Sequence, residues 1–328
     1  DYRKVIYRNS KGLPGRTKLI LQLMIAASAA FWITTLSPEP LQYKLALPFF
    51  KTALIQLGWM FIIVGAVVYD PKVVVIWDII RRFFEERGCP IDAVYYTNYE
   101  LQNDALLGGH VDVAWNSPLA WLDAQHRAGG RCRAIAMRDT DRDRVTHLLV
   151  RADSGIASFE DLRGKTIAFG AKDSPQATLI PVGMLARHGL EAERDYTMVR
   201  HDILVGKHGD HVGGELEALR SLQAGTADAS FALDLNWANW STDGTADADK
   251  IRILATTDRF DHCVFTVRDE FPADRQAAFL STLFEMSYDN PDHKEMMDME
   301  GLKRWEEGRT SGFAALSEAI DRTSYWSA

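Results

Sequence analysis

Residues 64–69, VGAVVY, are followed by Asp70-Pro71-Lys72-Val73-Val74. This reads as a short buried strand that runs through a loop into a helix. A strand–loop–helix unit at that position opens an α/β domain filling the rest of the chain. Everything before it is apolar enough for a membrane. The join falls inside one apolar run, so the chain reads as two unrelated pieces.

Charge divides the same way. Residues 1–68 carry eight Lys/Arg against Asp1 and Glu39, a net of +6, and the whole chain is −8, so the remainder is −14. An acidic domain argues against nucleic acid as a partner, because phosphate backbones select a basic face. Apolar residues make up 47% of the chain, enough for a buried core and too many for a disordered one. Cys89, Cys132 and Cys263 have no metal-type spacing. They are expected to be isolated, semi-buried thiols, with a Cys89–Cys132 bridge as the alternative.

Between residues 19 and 38 there is no charged side chain. At ~1.5 Å per residue such a helix crosses a hydrocarbon core of ~30 Å. Six basic residues precede it, which puts the amino terminus on the cytoplasmic side. A second uncharged run covers 52–69. Using its last third as a strand favours a single span and an extracytoplasmic domain. The sequences DYRKVIYRNSKGL and LPFFKTALIQLGWMFIIVG resemble an internal fragment of the phospho-N-acetylmuramoyl-pentapeptide transferase family. Only the second carboxylate of that family's acidic pair remains, as Asp1, and its magnesium motif and His cluster are absent. Without Mg²⁺ ligands, diphosphate chemistry has no charge neutralisation. Residues 1–63 are therefore expected to be a hydrophobic, inactive fragment.

From residue 64 onward strands and helices alternate. Strands are expected at 64–69, 93–96, 111–115, 133–138 and 147–151, and helices at 72–87, 100–107 and 118–128. Strands separated by helices imply parallel sheets, with ligands at their carboxyl ends. Ser174-Pro175 suits a helix start, an N-cap followed by a first-turn proline, and its backbone N–H groups would suit an anion. Ordinary capping explains the same residues.

In order, YDPKVV, VDVAWNSPLAW, SFEDLRGKTIAFG, SPQATLIP, VGKHGD and LQAGTADASFALD resemble the phosphate/phosphite/phosphonate substrate-binding proteins of ABC importers. The resemblance covers nearly all of residues 64–328. It implies the type II periplasmic-binding-protein fold, an α/β architecture of two lobes and a hinge that closes on a ligand. Lobe one would hold 64–150 and 258–328, and lobe two 151–257. It further implies a small oxyanion as ligand, ABC permease subunits as partners, no catalysis and no cofactor. The amino-terminal segment would tether the chain to the membrane, with the binding domain outside.

Residue by residue, the family's aromatic after the second strand matches Tyr99. Its Gly-Pro-x-x-Tyr loop matches Ser117 to Trp121, with Trp121 in place of the Tyr. Its Ser-Thr-Ser-Gly helix start matches Ser174, Pro175, Gln176 and Ala177, with Thr178 nearby. Its Gly-x-His turn matches His208. Its ligand-reading acidic positions fall near Asp234 and at Asp261-His262, where His262 replaces a carboxylate. Tyr69 and Asn116 complete the implied pocket. Loss of two hydroxyls weakens the case for an aminoalkyl phosphonate, while the helix start, histidine and carboxylate still suit a small oxyanion.

A metal-binding reading rests on His201, Asp202, His208, Asp210, His211 and His262, although interleaved glycines suggest a flexible loop. No G-x-S-x-G elbow, H-E-x-x-H helix or phosphate-cradling loop supports an enzyme.

Overall fold

The computed structural model describes residues 61–209, 213–323 and 325–327, with Gln22, Met24, Ile25 and two short strands before them. It divides into two units, Asp1–Met60 and Phe61–Ala328. In the first, β1 (Lys44–Ala46) pairs antiparallel with β2 (Leu54–Gln56). Most of the expected span at 19–36 lies outside the described residues. Among the described ones no helix is long and apolar enough to cross a membrane.

The second unit contains two sheets. The six-stranded sheet runs β13-β6-β12-β5-β3-β4, from β3 (Ile62–Val67), β4 (Ile91–Tyr96), β5 (Val113–Asn116), β6 (Cys132–Arg138), β12 (Val264–Arg268) and β13 (Trp305–Glu307). The five-stranded sheet runs β11-β7-β10-β8-β9, from β7 (Thr146–Arg151), β8 (Thr166–Phe169), β9 (Thr197–Arg200), β10 (Ala229–Leu233) and β11 (Ile251–Thr256).

The first strand starts two residues earlier than its sequence suggests, and all six of its residues are buried. The helix after it, Lys72–Glu86, buries Val73, Ile76, Trp77, Ile80, Phe83 and Phe84 along one stripe. Phe265 from β12 meets Trp77, Trp115, Phe279 and Trp305 in one aromatic cluster. The second sheet has its own core of Leu148, Ile167, Phe169, Met184 and Phe231.

Two expectations are corrected. The sheets are mixed: β3 is parallel to β4 and β5, and β8 to β9 and β10, but β12 runs antiparallel to β5 and β6, and β7 to β10 and β11. β7 and β12 each enter from the opposite sheet rather than through a helical crossover, so nothing requires them to run parallel. The division between sheets also falls earlier than residue 150, because β7 belongs wholly to the five-stranded sheet. The crossovers are residues 139–145 and 257–263.

These crossovers are bound to each other. Arg144 and Phe260 exchange both backbone hydrogen bonds, and His262 N donates to Asp141 O at 2.7 Å. Arg309 grips the fully buried Asp261 carboxylate with two bonds of 2.6 Å. The carboxy-terminal helix, Ala314–Thr323, packs against Ile180–Arg187 beside the five-stranded sheet. A Cβ on Gly183 would lie 2.7 Å from that of Ala319, so the bare glycine permits the approach. Leu316 and Ile320 then join Leu119 of the helix after β5, Leu179, Ile180, Leu233 of β10 and Phe260 of the second crossover in one apolar cluster.

Candidate ligand-binding site

A cavity of about 240 Å³ lies where the carboxyl ends of β3, β5, β6 and β10 converge with the crossovers. Its apolar wall includes Val67, Trp77, Tyr99 and Trp115. Arg138, Asp141 and Arg144 come from the end of β6 and the first crossover, His262 and Cys263 from the second. Leu235, Asn236 and Asn239 come from the first turns of the Asp234–Asp243 helix, so a ten-residue helix begins at the cavity. That end carries partial positive charge.

The two guanidiniums are already paired. Arg138 binds both oxygens of Asp141 at 2.6 and 2.8 Å and donates to Glu300 O at 2.7 Å. Burial alone would raise the Asp141 carboxyl, but Arg138 outweighs it and holds the group well below the usual range. Arg144 lies 3.4 Å from Asp234. Asn236 donates to Glu215, whose buried carboxylate also accepts from Leu233 N.

Beside this cavity lies a closed polar layer joining the two sheets. Ser117 Oγ is 2.6 Å from His208 Nδ1, and the His208 ring stacks on Tyr99 at 4.7 Å. Lys207 Nζ donates to Val68 O, and Tyr99 N to Gly206 O. Glu100, 3.5 Å from His208 Nε2, has its carboxyl lowered by that histidine. Ser174 caps its helix by accepting from Ala177 N, as its residue type suggests. The first turn, Pro175–Leu179, is a π-turn leading into Ile180–Arg187.

Tyr69, Tyr99 and His262 line the cavity, and Asp234 stands between two lining residues. Ser117, Ser174, Gln176, Thr178 and His208 gather in the adjacent layer, all buried. The helix start there is not open to the cavity. Gln176 Nε2 donates to Gly209 O, and Gly209 packs so tightly that a Cβ on it would lie 2.6 Å from Ser174 Cβ. Gln176 Oε1 and Thr178 Oγ1 are nevertheless buried with no hydrogen-bond partner among the described residues. Ala177 contributes its N–H to the cap.

Two assignments fail. Trp121 does not wall the cleft: only 2% exposed, it packs on Phe313 in the cluster with Ala124, Cys132, Met137 and Val264. Asn116 does not line the cavity and is bonded to Gln102, Asn103 and Thr266. The histidine-rich stretch does not converge on one point either. His201 pairs with Ser221, His208 with Ser117, and His262 lies 3.5 Å from Asp141; Asp210 and His211 lie outside the described residues. None of the three cysteines is in a disulfide. Arg138, Arg144, Asn236 and Asn239 escaped the sequence reading. Their one signal was position, at strand ends and sheet-to-sheet crossings.

Two mixed sheets joined by paired crossovers, with a cavity at the strand ends between them, define a two-lobed solute-binding protein. Residues 69–313 match the family described as "ABC transporter, phosphonate, periplasmic substrate-binding protein", and the chain belongs to that family. It is a substrate-binding component of an ABC importer, not an enzyme, in an extracytoplasmic family. Among solved structures, PhnD1 of Prochlorococcus marinus (MIT 9301), in complex with methylphosphonate, is 16% identical, with TM-score 0.61 over 81% of this chain and 98% of that one. XAC2383 of Xanthomonas citri, bound to ATP, is 17% identical, with TM-score 0.65 over the same shares. At such identities the likeness establishes the fold. A separate similarity, 50% over 68 residues, is to the phospho-N-acetylmuramoyl-pentapeptide-transferase of Granulibacter bethesdensis. It covers 21% of this chain, which spans only 19% of that enzyme's length.

Proposed function

We propose that the chain captures a small phosphorus or sulfur oxyanion, such as phosphate or a phosphonate, between its lobes and delivers it to permease subunits. The cavity carries this reading: about 240 Å³ at the strand ends, with Arg138, Arg144 and a helix start on its wall. That volume is below the ~300–1,000 Å³ of drug-sized sites and suits a solute of few heavy atoms. Asn236 and Asn239 amides would orient its oxygens, with Tyr69 and Tyr99 alongside. The polar layer of Ser117, Ser174, Gln176, Thr178 and His208, beside the cavity, would report closure. Residues 19–36 would serve as the membrane tether.

The test is a thermal-shift screen of the full chain against phosphate, phosphite, methyl- and aminoethyl-phosphonate, sulfate and an alkylsulfonate. At ~100 times its dissociation constant a true ligand adds about 2.7 kcal/mol of stability. One oxyanion should stabilise the protein, and Arg144→Met should abolish the effect. If no oxyanion stabilises it at millimolar concentration, the reading is wrong.

A further inference from the structure

One wall of the cavity holds a donor set that oxyanion capture does not use. Potential ligand atoms of Asp141, His262 and Cys263 lie within 4.8 Å of one another. His262 Nδ1 is 3.1 Å from Cys263 Sγ and 3.5 Å from Asp141 Oδ1. Zn²⁺ bound tetrahedrally, with bonds of ~2.0–2.3 Å, would separate such atoms by roughly 3.2–3.8 Å. We propose that Asp141, His262 and Cys263 form a three-ligand site for Zn²⁺ or a similarly soft divalent ion, with the fourth position opening into the cavity.

Three observations support the assignment. Carboxylate, imidazole and thiolate together suit Zn²⁺, whereas hard cations prefer all-oxygen sets. The donors are held in advance: Arg138 grips both oxygens of Asp141, and His262 N donates to Asp141 O. Outer partners of this kind orient ligating carboxylates. The charges also balance. Asp141, Glu300 (3.5 Å from Arg138) and a Cys263 thiolate give three negative charges against one guanidinium, leaving two to meet a dication. The Cys263 proton leaves for solvent as the metal binds.

The location has a consequence. Asp141 belongs to one crossover and His262 and Cys263 to the other, so the ion would tie the two hinge segments together. Its open position would take a water or an oxyanion oxygen; this last step alone rests on the proposed ligand.

Co²⁺ titration of the chelator-stripped full chain tests the site without any oxyanion. A thiolate-to-cobalt charge-transfer band should appear, with about one proton released per ion. Cys263→Ser should remove the band and weaken Zn²⁺ at least ~100-fold, the upper figure for loss of an outer partner alone. Cys263→Ala and His262→Asn should do likewise in variants whose circular dichroism matches the parent, while Cys89→Ser and Cys132→Ser change nothing. No band in the parent, a band surviving Cys263→Ser, or binding lost only on changing His201 and His208 would each overturn the site. Oxyanion binding at undiminished affinity in excess chelator would overturn the fourth-position step and leave the oxyanion reading intact. A metal site without any oxyanion response would overturn the oxyanion reading and the fourth-position step with it, and leave the three-ligand site standing.

Discussion

Glu215 is a carboxylate fully buried at a helix start, and burial pushes its pKa up to about 8 from an ordinary 4.5. Hydrogen bonds from Asn236 and Leu233 oppose the shift, the charge of Asp234 adds to it, and Oε2 has no partner among the described residues. Between those two pKa values the folded protein holds a proton that the unfolded chain has lost. Stability therefore falls as pH rises through that window, by at most about 1.4 kcal/mol per pH unit, and is level above and below it. Glu215→Gln keeps an oxygen for both donors but has no charge to bury. Its melting temperature should match the parent near pH 4.5 and exceed it increasingly up to pH 8. A difference that does not change with pH would mean that Glu215 is ionised when folded. Nothing in the sequence marked this residue. ELEALR reads as an ordinary helix, and its isolation arises only when β10 and Asn236 close over it. Trp121 is the opposite case. The motif placed it correctly on a helix after Pro118, but Phe313, nearly two hundred residues later, covers that face.

At the scale of elements, much was legible because the signals were local. Apolar stripes and Ser174 as a cap fall where their residue types require. Sheet order was not legible. β7 reads like any other short strand, and only its partners place it in the second sheet. In the loop over the Ser174 helix start the glycines suggested flexibility alone, and the close packing of the one at 209 was not legible. Gly209 adopts φ +66° against Ser174, so the glycine serves close packing as well as backbone freedom. Gly209→Ala should therefore cost more than the ~1–2 kcal/mol of a left-handed alanine. Gly244→Ala, at φ +81° with open space around it, should cost only that amount. Urea unfolding of the two variants separates the terms. Equal losses would mean that the loop yields without strain.

For the molecule as a whole, the central question is what holds the lobes together without a ligand. Contacts that cross the junction include Ser117 to His208, Lys207 to Val68 O, Tyr99 N to Gly206 O and the His208–Glu100 pair. A typical hydrogen bond contributes ~0.5–1.5 kcal/mol net, and one to a charged group ~1.5–3. Losing the Ser117 and Lys207 bonds should therefore cost roughly 2–4 kcal/mol of closure. Each ~1.4 kcal/mol is a tenfold change in the balance between open and closed forms. The apolar cluster around Leu316 and Ile320 and the paired crossovers are made by other residues than those bonds, so opening should be hinged rather than an unfolding. Ser117→Ala with Lys207→Met should thus speed amide hydrogen exchange at the buried residues 174–179 and at 206–209, of which 206 and 207 are half-buried. Exchange within β3, β8 and β10 should stay as slow as in the parent. Faster exchange throughout the sheets would mean that the two side chains support folding rather than closure. Unchanged exchange at the junction would shift the burden of closure to the hydrophobic cluster, and ligand capture would then have no polar latch to work against.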